Sequence, residues 1–247
     1  MRAEQFIGEL SNLKFENTFN PYSDRCEVYD FFDAPEKRSA LLKKMLEVAS
    51  EVETDSIWIG RDLGYRGGRR TGLALTDDVY LSRHAQRWGM EVERPTKGQL
   101  VPERTAAIIW SVLSLISRPI FLWNVFPLHP YEAGDQFSNR AHNSKERNAG
   151  EDLLALLIEF LKPNRIIAIG NDAEKSAMRI VKHDKVKKVR HPSYGGQNIF
   201  LSQIRALYQL NKLHNMDISL LTGICPKQSD PLFGLARTFR KSKIECP

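Results

Sequence analysis

The stretch I-W-I-G-R-D-L-G-Y-R-G-G-R-R-T-G-L-A-L-T, residues 57–76, joins a short apolar run to a turn-forming segment with one carboxylate, Asp62, five glycines and four arginines. The run Ile57-Trp58-Ile59 reads as a buried strand, and glycines beyond its end let backbone come close to a ligand. A carboxylate at the mouth of such a strand is the usual place for chemistry in an α/β sheet. Taken alone, the loop also fits a plain surface turn solvated by its arginines.

Outward from this stretch, apolar and amphipathic segments alternate. Ala34-Pro35-Glu36 opens a helix with Leu41, Leu42, Met45, Leu46 and Ala49 at helical spacing, and Asp77-Asp78 starts a short helix carrying Tyr80, Leu81 and His84. Pro102-Glu103 begins an apolar helix through Ile116, and Pro119–Asn124 is a second strand. Val125 to Ala149 is a long polar excursion rich in Asn, His, Ser, Arg and Gly and reads as a functional or mobile loop. A helix over 151–161, a strand over 165–170, a helix from the cap Asn171-Asp172 through Val181, a strand over 185–190 and a helix over 198–213 follow. Strand–helix alternation of this kind predicts an α/β three-layer sandwich, a central, mostly parallel four-stranded sheet flanked by helices.

Residues 1–36, rich in aromatics and turn residues, read as an irregular arm packing on a domain over 37–214. From 215 to 247 the chain loses periodicity and ends in Arg237, Arg240, Lys241 and Lys243. A net charge of +6 and a pI near 9.2 lean toward a polyanionic partner. Three scattered cysteines, Cys26, Cys225 and Cys246, lack metal-ligand spacing and fit reduced thiols in the cytoplasm. No metal or other cofactor is expected. Neither a secretory signal nor a membrane span is expected.

Three of the four strands deliver a distinctive polar residue at their carboxyl ends: Asp62, Asn124 and His191. Ligands bind there in such sheets, so the convergence says more than any single residue. Singly, Asp62 can cap its own loop, Asn124 can hold a turn and His191 can be a satisfied loop histidine.

These residues carry a resemblance. The loop from Gly60 to Thr76 resembles, without a gap, the G-Q-D-P-Y-H-G-P-G-Q-A-H-G-L-A-F-S water-activating loop of the uracil-DNA glycosylases. Phe121-Leu-Trp-Asn124 is similar to that family's L-L-L-N strand, and His191-Pro-Ser193 to its H-P-S loop. Ala141-His-Asn-Ser-Lys-Glu-Arg147 and Ile169-Gly-Asn-Asp-Ala-Glu-Lys175 are similar to connecting segments, so the match covers about residues 56 to 205 in order.

The resemblance implies a monofunctional, monomeric DNA glycosylase with DNA as its partner and no obligatory protein partner. Asp62 positions water and stabilises the cationic sugar, Asn124 reads the flipped base, and His191 donates to the pyrimidine O2. Arg61 borders the base. Arg66, Arg69, Arg70, Lys188 and Arg190 pair with phosphates, Ser193 and Gly195 offer further donors, and Tyr194 wedges the duplex. Two departures fall in the base pocket: Gly64 stands where the family has a tyrosine that excludes a C5 methyl, and Leu75 where it has a stacking phenylalanine. They predict a pocket enlarged on the C5 side, for uracil or a 5-substituted pyrimidine. Excision of a hydroxymethylated or glucosylated phage cytosine as antiviral defence is one alternative, and a non-catalytic DNA-binding module of the same fold is another.

Overall fold

The computed structural model describes residues 2–210 of the chain, so the basic residues from Arg237 to Lys243 and the end of the last expected helix lie outside it. The elements are α1 (Ala3–Asn12), β1 (Thr18–Phe19), α2 (Ala34–Ser50), β2 (Ser56–Asp62), α3 (Gly68–Thr71), α4 (Leu81–Arg87), α5 (Arg104–Leu113), β3 (Ile120–Phe126), β4 (His129–Pro130), α6 (Ser144–Leu161), β5 (Arg165–Ile169), α7 (Asn171–Ile180), β6 (Val186–Val189) and α8 (Gln197–Leu207). Four strands pair in parallel in the order β3-β2-β5-β6, giving the expected α/β sandwich.

Side-chain alternation along β2 and β3 sorts the core into two layers. Ile57, Ile59, Phe121, Trp123 and Val125 pack with α1, α2, α6 and α7, whereas Trp58, Ile120 and Leu122 pack with α5 and α8. Both faces are covered, which is why these strands read as unbroken apolar runs. At the far end of α8, Tyr208 closes the second layer: Trp58 Nε1 donates to its hydroxyl at 2.8 Å, and the Ser56 hydroxyl lies 2.7 Å from it.

The first 36 residues are not an irregular arm. Helix α1 buries Phe6 and Leu10 completely, and β1 pairs antiparallel with β4, at Thr18 with Pro130 and Phe19 with His129. Nor is 125–149 one loop. Val125 and Phe126 end β3, and α6 starts at Ser144, seven residues before the expected start. Its start is a capping box: the Asn143 side chain accepts from Lys145 and Glu146 N–H, and Glu146 Oε2 accepts from Asn143 N–H. Glu146 is fully buried and takes both terminal nitrogens of Arg140, at 2.6 and 2.7 Å. Gly150 lets α6 lie directly on β3, since a Cβ there would stand 2.1 Å from Val125 O.

The glycine loop is anchored by a buried arginine of α2. Arg38 binds Asp30 through both terminal nitrogens, donates from Nε to Arg70 O at 2.8 Å, and packs its stem against Gly72. Gly72 has φ of +72°, and Tyr22 Oη donates to its carbonyl at 2.6 Å. Both ionic partners are inaccessible to solvent, so removing one strands the other charge in the interior. Asp30→Ala is therefore expected to lower unfolding free energy by about 3–5 kcal/mol, read from urea denaturation, whereas a loss under about 1 kcal/mol would contradict this account.

Candidate active site

The parallel sheet brings the three strand-end residues to one edge. Register pairs Gly60 with Asn124 and Asp62 with Phe126 on neighbouring β2 and β3, and His191 follows β6 by two residues. Asn124 is almost wholly buried, and its Oδ1 has no hydrogen-bond partner among the described residues. A Cβ on Gly60 would meet that oxygen at 2.5 Å and Leu75 Cδ2 at 3.1 Å, so any larger residue there would displace the Asn124 amide. Leu75 itself holds a φ of +55° and offers its carbonyl to Trp110 Nε1 at 3.1 Å. An unmet buried oxygen over a bare glycine is a socket for a hydrogen-bonding ligand.

Both carboxylate oxygens of Asp62 are engaged. Arg61 Nε donates to Oδ2 at 2.6 Å, and His142 Nδ1 donates to Oδ1. His142 immediately precedes the Asn143 cap, so the helix start that fixes Asn143 also fixes this histidine. Its role is absent from the sequence reading, where His142 stands only inside a matched connecting segment. The capping signature N-x-x-E beside it was the available signal. The half-exposed Arg61 also reaches toward Asp172 at 3.7 Å.

His191 sits over Gly170, whose φ is +94° and whose missing Cβ would lie 3.4 Å from the histidine Cβ. Its Nδ1 accepts the Ser193 N–H at 3.2 Å and lies 2.7 Å from the Ser193 hydroxyl. A backbone N–H can only donate, so Nδ1 is the acceptor and the neutral ring carries its proton on Nε2. Burial, and then the positive charges of Arg61 and Arg190, lower the pKa of this imidazole from its ordinary 6.5. The ring is therefore held neutral, with one donor to offer.

The basic residues divide. Arg66 is exposed and donates to Tyr65 Oη at 2.8 Å, and Lys188 and Arg190 are exposed beside the His191 turn, with Lys188 2.8 Å from Glu174. Arg69 and Arg70 do not take the phosphate-facing place expected of them. Arg69 is wholly buried, its guanidinium 4.2 Å from the Phe19 ring centre and 4.9 Å from that of Phe137, and Gln136 accepts from it at 3.1 Å. Arg70 lies 4.2 Å from the Tyr29 ring centre and donates to Asp78 at 2.7 Å. Both are structural cations in aromatic surroundings. At the opposite extreme, Tyr194 is 96% exposed on a turn where it and Gly195 hold φ of +50° and +74°.

The expected vacancy beside Gly64 is filled. A Cβ at Gly64 would fall 2.7 Å from Glu103 Oε1, and one at Gly67 would fall 2.2 Å from Glu103 Oε2. Asp77 fixes this glutamate by accepting its backbone N–H at 2.6 Å, while Asp77 Oδ1 also accepts from Val79 and Tyr80. Asp77-Asp78 thus tether the 96–103 segment to the glycine loop and do not open α4, which begins at Leu81.

With this geometry in place, comparison with known proteins gives a consistent answer. No curated protein matches the sequence. Among solved structures, that of wild-type SMUG2 from Pedobacter heparinus is similar at 15% identity with a TM-score of 0.52, covering 85% of this chain and 97% of that one, a likeness of fold. The family model described as the uracil DNA glycosylase superfamily matches residues 21–210, which include the glycine loop, the Asn124 strand and the His191 turn. The chain belongs to the uracil DNA glycosylase superfamily.

Proposed function

We propose that the chain is a monofunctional DNA glycosylase that hydrolyses the N-glycosidic bond of a pyrimidine flipped out of DNA. The observation that carries this reading is the grouping of Asp62, Asn124 and His191 at one end of a parallel sheet, each in a chemical state suited to one part of the reaction. Breaking the bond leaves positive charge on the sugar and negative charge on the base. The Asp62 carboxylate, oriented by Arg61 and His142, stabilises the sugar cation and positions the attacking water. His191, neutral with its proton on Nε2, donates to the O2 of the leaving base.

Asn124 supplies recognition. Its buried Oδ1 has no partner among the described residues, so a base that donates to it adds a hydrogen bond that these residues do not supply. No described side chain or backbone group holds the amide in one orientation, so the N3–H and O4 of uracil and the reversed pattern of cytosine both remain compatible. Arg66, Lys188 and Arg190 are the exposed cations that pair with phosphates, joined by Ser193 and Gly195 on the turn. Tyr194 fills the gap left by the flipped nucleotide, its backbone held in the left-handed region by the Gly195-Gly196 turn.

Three outcomes follow on duplex oligonucleotides bearing one uracil or one modified pyrimidine. Asp62→Asn is expected to lower the single-turnover rate of base release by about 10²–10³ with little change in DNA affinity. Strand-break assays after alkali measure this, and binding to every duplex without base release by the unaltered protein favours a non-catalytic module instead. The rate is expected to stay level as pH falls through 6.5, because the shift at His191 is downward and the neutral ring persists into more acid solution. An acid limb at or above 6.5 that vanishes in His191→Gln would count against this assignment. Tyr194→Ala is expected to slow excision from duplex by about tenfold and to spare single-stranded substrate, since only the duplex requires a stacked base to be replaced. Equal losses on both substrates would remove Tyr194 from the wedge role.

A further inference from the structure

Outside the Asp62 cluster, the glycine loop borders a cleft of about 430 Å³. Tyr29, Tyr65 and Phe137 line it with aromatic rings, Arg66 and Arg70 with guanidiniums and Val101 with aliphatic carbon, and no carboxylate of the described residues lines it. These residues come from four separate stretches of chain, and hydrogen bonds hold each stretch in place. Asp78 accepts from Arg70 Nε at 2.7 Å and from Val101 N–H at 3.1 Å. Tyr29 O accepts from Lys97 N–H at 2.7 Å, and Asn139 Oδ1 from Tyr65 N–H at 3.0 Å. A concave site of apolar rings with a few placed polar groups is the usual form of a ligand pocket.

The polar groups indicate the ligand. Arg70 is only 6% exposed, and with Nε given to Asp78, neither of its terminal nitrogens finds an acceptor among the described residues. Next to it, Nε and Nη1 of the wholly buried Arg69 are also unmet among these residues, and that guanidinium lies 5.6 Å from the Tyr29 ring centre and 4.9 Å from that of Phe137. Buried donors are normally met, so the open N–H pair of Arg70 calls for a ligand with two adjacent acceptors on a flat edge. Guanine presents such a pair in O6 and N7. Tyr65 and Phe137 are half-buried, so part of each ring is open to a base, and the exposed Arg66 stands beside them for the phosphate.

The cleft also lies close to the proposed reaction site. Tyr65 follows Asp62 by three residues, so their Cα atoms are at most about 11 Å apart. Stacked nucleotides rise about 3.4 Å each along a strand, so a strand with one nucleotide at Asp62 reaches the cleft within a few positions. We infer that the cleft is a second nucleotide subsite, taking an unstacked guanine of the same strand with its O6–N7 edge on Arg70 and its ring against Tyr65 and Phe137. This rests on the glycosylase reading, which brings the strand to Asp62, and adds a sequence context to it. A guanine inside a duplex keeps its faces stacked, so the subsite favours unpaired DNA beside the target.

The test is fluorescence anisotropy and base release with single-stranded oligonucleotides carrying one uracil and one guanine, the guanine moved stepwise away from the uracil on either side, against the same strands with adenine in its place. The unaltered protein is expected to bind the guanine strand about tenfold more tightly at one or two of these positions. Replacing that guanine by 7-deazaguanine, which lacks the N7 acceptor, is expected to remove most of the gain, a readout that needs no altered protein. Arg70→Lys, which keeps the charge and loses the planar fork, is expected to bring the guanine-to-adenine ratio near unity. Tyr65→Ala is expected to weaken binding of both strands by about tenfold, since stacking is indifferent to the base edge. Urea denaturation verifies that both variants fold. Equal binding of guanine and adenine strands at every position, or a preference that survives 7-deazaguanine or Arg70→Lys, overturns the inference. Free dGMP bound as tightly as the guanine strand also overturns it, in favour of a mononucleotide site. Guanine-dependent binding without base release sinks the reaction and keeps the subsite, whereas base release blind to the neighbouring base does the reverse.

Discussion

The buried ion pair between Arg38 and Asp30 holds together parts of the chain that the site cannot do without. One guanidinium binds the segment before α2 through Asp30, the return of the glycine loop through Arg70 O, and the left-handed turn at Gly72 through its stem. A buried charge tolerates few arrangements, because every donor must find an acceptor in a medium that does not solvate it. The glycines of residues 60–72 give the loop its freedom of approach, and Arg38 takes the surplus freedom away. Asp77 and Asp78 extend the clamp to the 96–103 segment, so the loop carrying Asp62 is held from both sides.

On that scaffold the side chains of the candidate site are set by contacts of two kinds, distant and local. Asp62 owes its orientation to His142, and His142 owes its place to a helix cap, to the Arg140–Glu146 pair and to the close approach of α6 at Gly150. His191 is oriented by its own turn, through the Ser193 N–H, and by the glycine beneath it. These two supports differ in kind. The first is a chain of packed elements on one face of the sheet, and the second is a local hydrogen-bonded turn. Arg61 links them electrostatically, bonded to Asp62 and lowering the pKa of His191.

Strands β2, β3 and β5 were legible because their residues are buried on both faces and spell continuous apolar runs, whereas the short β6, V-K-K-V, has only its end residues buried. Asp62 and Asn124 were legible for a related reason, each being polar at the end of such a run, and His191 from its place in the H-P-S turn after the short β6. Helix α1 was missed because Ala3, Phe6 and Leu10 are few and sit among residues that also suit turns, so only packing decides them. The first turns of α6 were missed because their composition is polar, although Asn143 and Glu146 spelled a capping box. Arg69 and Arg70 were misread because their partners, Phe19, Tyr29, Asp78 and Phe137, are mostly remote in sequence. Glu103 read only as the start of a helix. Its relation to Gly64 and Gly67 exists in three dimensions alone.

The unpartnered Oδ1 of Asn124 has a consequence for the free protein as well as for its ligand. A buried acceptor left without a donor costs about 1–3 kcal/mol, and among the described residues none donates to this oxygen. An apolar residue of similar shape there would make a more stable and less discriminating chain. In the proposed reading a well-matched base supplies the missing donor, so occupancy of this one position couples recognition to the thermal endurance of the whole domain.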